Sequence, residues 1–205
     1  MSDPNPNSAS DEFPEPKVIY DFDPFHLPPE YLQAVGLVVA ASSQTESVMR
    51  ELIGALLNID NVEAIALCAH MTAPLKDHVA RTLIELNAPG ASEVDELDDL
   101  LDAVEGALTK RNTVVHNSFL IDPGTQQVMS WREKARGSLQ TALVPVTVEE
   151  IQQDAALINK AGLDVIEFMM RHGLGPRFRK GPLREVLDRK KKARAERRAR
   201  FGAKY

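Results

Sequence analysis

The sequence predicts a mainly helical fold, an up-and-down bundle of about five helices with a small β-hairpin insertion. Three observations carry this. Apolar residues recur at spacings of three and four over about 30–57, 93–116 and 148–172, the period of a helix with one buried face. Capping and turn residues punctuate these stretches. The segments richest in Val, Leu, Phe, Trp and Thr without that period are short and fall within 117–146.

Taken in order, residues 1–29 hold seven of the 13 prolines, a density that prevents both helix and central strand. Residues 1–27 therefore read as a disordered arm, although VIYDFDPFHL is aromatic enough to dock, with order beginning near Val18. Pro28 and Pro29 suit a first helical turn. Leu32, Val35, Val39, Met49, Leu52, Ile53 and Leu56 then mark a helix over about 30–57. Gly36, Ala40, Ser42 and Ser43 lie near the same stripe and would let another helix approach closely. Asn61 is expected to cap a second helix over 62–72, and Pro74 to start a third that runs to Leu86; NAPGAS is a loop. Ser92 with Asp95 resembles a capping box for a long helix over 93–116, whose stripe is Leu97, Leu101, Val104, Leu108, Arg111 and Val115. SFLID, VMSW and TALVPV read as two or three short strands. Thr147 and Glu150 form a second capping box, and the helix that follows runs to His172, with Gly173 at its C-terminus. Residues 28–175 are thus one helical domain. The basic segment 176–205 has helix-forming composition but loses its apolar residues after Leu187.

Composition narrows the function classes. The 205 residues suffice for one ordinary core. The single cysteine, Cys68, excludes a disulfide scaffold and fits a reducing cytoplasm. No stretch approaches the ~20 apolar residues of a membrane span, and no basic stretch followed by an apolar run opens the chain, so a soluble cytoplasmic protein without a membrane partner is expected. The net charge of −6 conceals an asymmetry: residues 1–175 hold 11 Lys or Arg against 27 Asp or Glu, and residues 176–205 hold 13 against 3. An acidic body therefore carries a basic tail, which suits a nucleic-acid arm or a segment that folds back on its own body.

Most catalytic signatures are missing: there is no HExxH, CxxC pair, GxSxG elbow, Walker loop or strand-to-helix GxGxxG. His70 and His78 lack a third ligand nearby, so no metal and no cofactor is expected. The carboxylates over Glu93–Glu105 read as a solvated acidic face. What remains is KRNTVVHNSF at 110–119. Arg111 lies on the apolar stripe, while Asn112 and His116 are four apart and share a face. A long arginine lets the three converge on one phosphate. Arg111, Asn112 and His116, set near the end of a late bundle helix, resemble the Arg-Asn-x-x-x-His form of the motif that marks the HEPN superfamily. The resemblance extends to the order of elements over about 28–173, departs from a plain bundle at the insertion of 117–146, and covers neither tail.

HEPN proteins are helical, usually dimeric, and many are metal-independent endoribonucleases of toxin–antitoxin, abortive-infection or CRISPR systems, while others are non-catalytic. For this chain the resemblance implies RNA as substrate, a homodimer, and an antitoxin-type protein partner if it is a toxin. His116 would take a proton from a ribose 2′-hydroxyl or give one to the leaving 5′-oxygen, as a group titrating near neutrality is suited to do. Arg111 would hold the phosphate and stabilise its added charge. Asn112 would orient the phosphate or His116, and Lys110 would add charge from the flank. Glu46 interrupts the apolar stretch of the first helix and either pairs with Arg111 across the bundle or is simply exposed. In the tail, Lys190, Lys191, Lys192, Arg194, Arg197 and Arg198 offer a salt-sensitive phosphate contact, or pack against the acidic helix. The alternative is a non-catalytic helical RNA-binding or dimerisation module, in which Arg111 snorkels from the core and His116 complements the helix C-terminus.

Overall fold

The computed structural model of the chain describes residues 20–87, 90–135 and 139–178, with two short helical pieces at 191–192 and 195–196. Five helices and one small antiparallel sheet follow in the order α1 (Pro29–Leu56), α2 (Asn61–Cys68), α3 (Ala73–Asn87), α4 (Ala91–His116), β1 (Ser118–Ile121), β2 (Val128–Ala135), β3 (Leu139–Pro145) and α5 (Val148–Arg171). The fold is mainly α with a small β insertion.

The long helices α1, α4 and α5 and the shorter α3 bury one apolar stripe each. Val38, Leu52 and Ile53 of α1, Leu97 and Leu101 of α4, and Ile158, Val165 and Phe168 of α5 are all essentially inaccessible and belong to one core cluster. Burying a side chain of this size contributes about 1.5–3 kcal/mol. Two glycines set how closely helices approach. A Cβ on Gly162 of α5 would fall 2.8 Å from the Thr45 Oγ1 atom, and one on Gly54 of α1 would fall 2.8 Å from the Ala64 Cβ atom of α2. The buried Thr45 hydroxyl donates to the Ile158 carbonyl at 2.9 Å. The small residues expected to admit a neighbour act unequally: Ser42 is buried, but nothing lies within 4 Å of a Cβ built on Gly36, which is exposed.

Several helix ends differ from expectation by a residue or two. The cap of α2 is Asp60, not Asn61; its carboxylate accepts from the Val62 and Glu63 amides at 2.9 Å. Glu63 closes the box onto the Asp60 amide. The N-cap of α4 is Gly90 with no side-chain bond, because the helix starts before Ser92, whose hydroxyl donates to Glu93 instead. Thr147 and Glu150 do form the capping box of α5, and Gly173 follows its end at φ +67°, a left-handed turn that favours glycine. The acidic face of α4 is not merely solvated. Asp98 and Asp102 receive Arg81 from α3, and Glu96 receives Arg171 and His172 from the end of α5. The Arg171 guanidinium, with His172 assisting, holds the Glu96 carboxyl below its ordinary range.

The strand-rich insertion is a three-stranded sheet in the order β1-β2-β3, with Ser118 opposite Trp131 and Trp131 opposite Leu143. Residues paired across a sheet share a face. Phe119, Ser130, Arg132 and Val144 therefore look one way, and Ser118, Leu120, Trp131 and Glu133 the other. The segment 20–27 is not part of a loose arm: Asp21 bridges Ile121, extending the sheet beyond β1, and a short 3-10 turn spans Pro24–His26. The remainder of that arm, Val18 included, lies outside the described residues. Beyond α5 the chain returns to α2, where the Asn61 amide donates to the Arg177 carbonyl at 2.8 Å.

Candidate functional site at the C-terminal end of the fourth helix

Helix α4 stops at His116 because Asn117 adopts an extended conformation and leads directly into β1. The last two turns of the helix thereby point toward three separate clefts. Lys110 and Thr113 face a cleft of about 380 Å³ against β2 and the start of α5. Asn112 lies on the rim of one of about 430 Å³ between α1, α3 and α4. His116 lines a third, of about 500 Å³, with Phe22, Asn117, Ser118, Trp131 and Glu133.

Arg111 and Asn112 are brought together. The Arg111 Nη1 atom donates to the Asn112 Oδ1 atom at 3.0 Å. The Arg111 Nε–H is buried and has no acceptor among the described residues, and no carboxylate pairs with this guanidinium there. Arg50, Arg81 and Arg171 each hold at least one carboxylate, whereas Arg132, like Arg111, holds none among the described residues. His116 is exposed at the last helical position and lines a cleft that neither Arg111 nor Asn112 lines. Among the described residues a hydrogen bond joins Arg111 to Asn112, and none joins His116 to either.

Glu46 requires a correction. It pairs with Lys76, not with Arg111, across 3.1 Å between α1 and α3. The physical reason is that Lys76 has only 7% of its surface exposed, and a buried ammonium must be matched. Arg111 lies at the other end of α4 from the Arg81 cluster and finds an amide instead. Lys110 is not a free cation either, because its ammonium pairs with Asp154 of α5 at 2.7 Å. Lys191 and Lys192 are exposed on a helical piece, while Lys190, Arg194, Arg197 and Arg198 lie outside the described residues.

Sequence reasoning passed over Phe22, Trp131 and Glu133, which surround His116. Phe22 meets Trp131 edge to face, with ring centroids 6.3 Å apart and planes at 67°. The Trp131 indole N–H donates to the Glu133 Oε1 atom at 2.8 Å. Only the lone tryptophan on a short strand could have signalled them. Arg132, on the opposite face of β2, also has a buried Nε–H without an acceptor. Among the described residues no group of three His, Cys, Asp or Glu side chains is placed to hold a metal ion, and no helix is long and apolar enough to cross a membrane.

No family model, curated protein or solved structure matches this chain.

Proposed function

We propose that the protein is a metal-independent endoribonuclease of HEPN type, working as a homodimer. One observation carries the reading: a guanidinium without a carboxylate partner stands five residues before an exposed histidine at the end of the same helix, in a body of strongly negative charge. An arginine left unpaired in such surroundings suits a ligand that brings its own negative charge.

In this scheme a ribose 2′-hydroxyl loses its proton to His116 as the 2′-oxygen attacks the adjacent phosphorus. The P–O5′ bond breaks, the 5′-oxygen leaves with a proton taken from water, and the products are a 2′,3′-cyclic phosphate and a 5′-hydroxyl, after which the protonated His116 returns its proton to solvent. Arg111 holds the phosphate oxygens, and Asn112 fixes the guanidinium in place. Since His116 opens into a separate cleft, the histidine that acts beside a given Arg111 is that of the second copy in the dimer. The exposed Lys191 and Lys192 keep RNA near the acidic body through phosphate contacts, and neutralisation by an antitoxin-type protein fits the same scheme.

The test is incubation of the purified protein with RNA in EDTA, wild type beside His116→Ala and Arg111→Ala, with analysis of the ends. Cleavage by wild type only, leaving cyclic phosphates, is the expected result. Folded variants and wild type that all bind RNA without cutting it would replace the enzyme by a non-catalytic RNA-binding module. A mixture of His116→Ala and Arg111→Ala chains should regain part of the activity if each active centre draws on both copies.

A further inference from the structure

The cleft at His116 has a composition that does not suit a phosphate. It holds no lysine or arginine and carries the Glu133 carboxylate, so a phosphate on the ligand finds no cation within the cleft and must lie at its mouth, where the Arg111 guanidinium of the second copy meets it in the proposed dimer. Two of the cleft's lining side chains, Phe22 and Trp131, are instead aromatic. Phe22 remains half exposed although it lies against Trp131, so both rings offer surface to a planar guest. Phe22 is also held in position. On one side the Asp21 carbonyl accepts the Ile121 amide at 3.1 Å. The Asp21 carboxylate takes the Asp23 amide at 2.9 Å and the His26 ring at 2.7 Å. Ring and indole therefore need little ordering when a ligand arrives, which lowers the cost of binding. The cavity volume lies within the ~300–1,000 Å³ usual for small-ligand sites.

We propose that this cleft is a nucleobase site, in which one unpaired base of an RNA strand stacks on the exposed face of Phe22, with Trp131 set edge-on beside it, while the edge of the base meets Glu133. Base stacking on aromatic side chains is the general means of holding single-stranded nucleic acid. The Glu133 Oε1 atom is occupied by the indole N–H, whereas Oε2 has no protein donor among the described residues. It accepts from a base with donors on its pairing edge, and guanine, with adjacent N1–H and N2–H groups, fits it best. Asn117 and Ser118 flank the sugar. A base seated here sets its ribose beside His116, so the identity of the ligand as RNA rests on the endoribonuclease reading, while the stacking site does not.

Trp131 is the chain's only tryptophan, so its fluorescence reports on this cleft alone. The full-length protein in EDTA is titrated with guanosine 3′-monophosphate, uridine 3′-monophosphate and ribose 5-phosphate. Saturable quenching by the guanosine nucleotide is expected, with affinity about tenfold weaker for uridine, about tenfold weaker in Phe22→Ala, and no response to ribose 5-phosphate. Glu133→Gln should bring the two nucleotides closer together. Circular dichroism checks that Phe22→Ala, a change at an exposed ring, leaves the fold intact. Equal binding of ribose 5-phosphate and nucleotide, or unaltered guanosine binding in a folded Phe22→Ala, would overturn the base site. Nucleotide binding without any RNA cleavage would uphold the site and remove the nuclease, whereas cleavage with no nucleotide response would do the reverse.

Discussion

At the scale of single residues, two buried groups give sharp expectations. Lys76 is buried against Glu46, so Glu46→Ala leaves an ammonium without its partner and should cost about 2 kcal/mol in urea unfolding, less than a fully buried pair because Glu46 retains some solvent contact. Lys76→Met removes the charge and keeps the volume; it should cost well under 1 kcal/mol, and the double variant should resemble it. Cys68 is the second case. Burial pushes its thiol up from the usual range, so little thiolate forms near neutrality. Alkylation of the native protein should be slow and should accelerate with denaturant in step with the unfolding transition, as mass spectrometry would read directly. Arg111 and Asn112 stand out in the sequence as motif residues, but their hydrogen bond to each other does not, because neighbouring side chains on a helix point about 100° apart and only a long one can bridge them. The partner of Glu46 was not legible either, since Lys76 sits in the first turn of a different helix and nothing local marks a lysine as buried.

At the scale of elements, the repeating stripes made α1, α4 and α5 readable as helices, but the first half of α1 turns a different face inward from the one expected: Leu32 and Val39 are exposed and Ala34, Val38, Ser42 and Thr45 are buried, because small residues let α5 pack closely there. Cap residues were readable only where the helix began at the residue expected. Thr147 met that condition, and Thr147→Ala should cost about 1 kcal/mol by urea titration, with the loss of the bond that the Thr147 hydroxyl accepts from the Glu150 amide, while the backbone amide of residue 147 can still donate to Glu150. Gly162 tests a different quantity, the distance between α1 and α5. A methyl group there meets Thr45 at 2.8 Å, on a residue that cannot move away without breaking its bond to Ile158. Gly162→Ala should therefore destabilise by about 1–3 kcal/mol, despite the gain in helix propensity that the change brings elsewhere. The sheet was visible as strand-forming composition. That the aromatic run before Pro28 docks was legible too, but not that it docks on this sheet, because a contact between residues 22 and 131 has no periodic trace.

For the whole molecule, the charge imbalance between body and tail was plain in the sequence, whereas the ion pairs that tie Glu96, Asp98, Asp102 and Asp154 to basic residues of neighbouring helices were not. The clasp at residues 20–27 gives the molecule a dependence on pH. The backbone amide of Asp23, followed by the His26 ring, holds the Asp21 carboxyl below its usual range, and Asp21 raises His26 above its own. A raised histidine stabilises the folded arrangement below the ordinary imidazole range and ceases to do so as pH rises through its elevated value. The lowered carboxyl acts above the ordinary carboxylate range and fails as pH falls through its depressed value. Phe22 should thus stay against Trp131 between these limits, and Trp131 fluorescence should change at both ends, with the alkaline change absent in His26→Ala. The most extensive helix contact joins α1 to α5, the first and last helices of the bundle. During synthesis the ribosome releases α1 long before its partner exists, so its inner face must wait in water or in the grip of a chaperone until residue 171 has cleared the exit tunnel. The bundle is therefore completed late and all at once, and a chain interrupted within the sheet should be a substrate for proteases rather than a smaller folded protein.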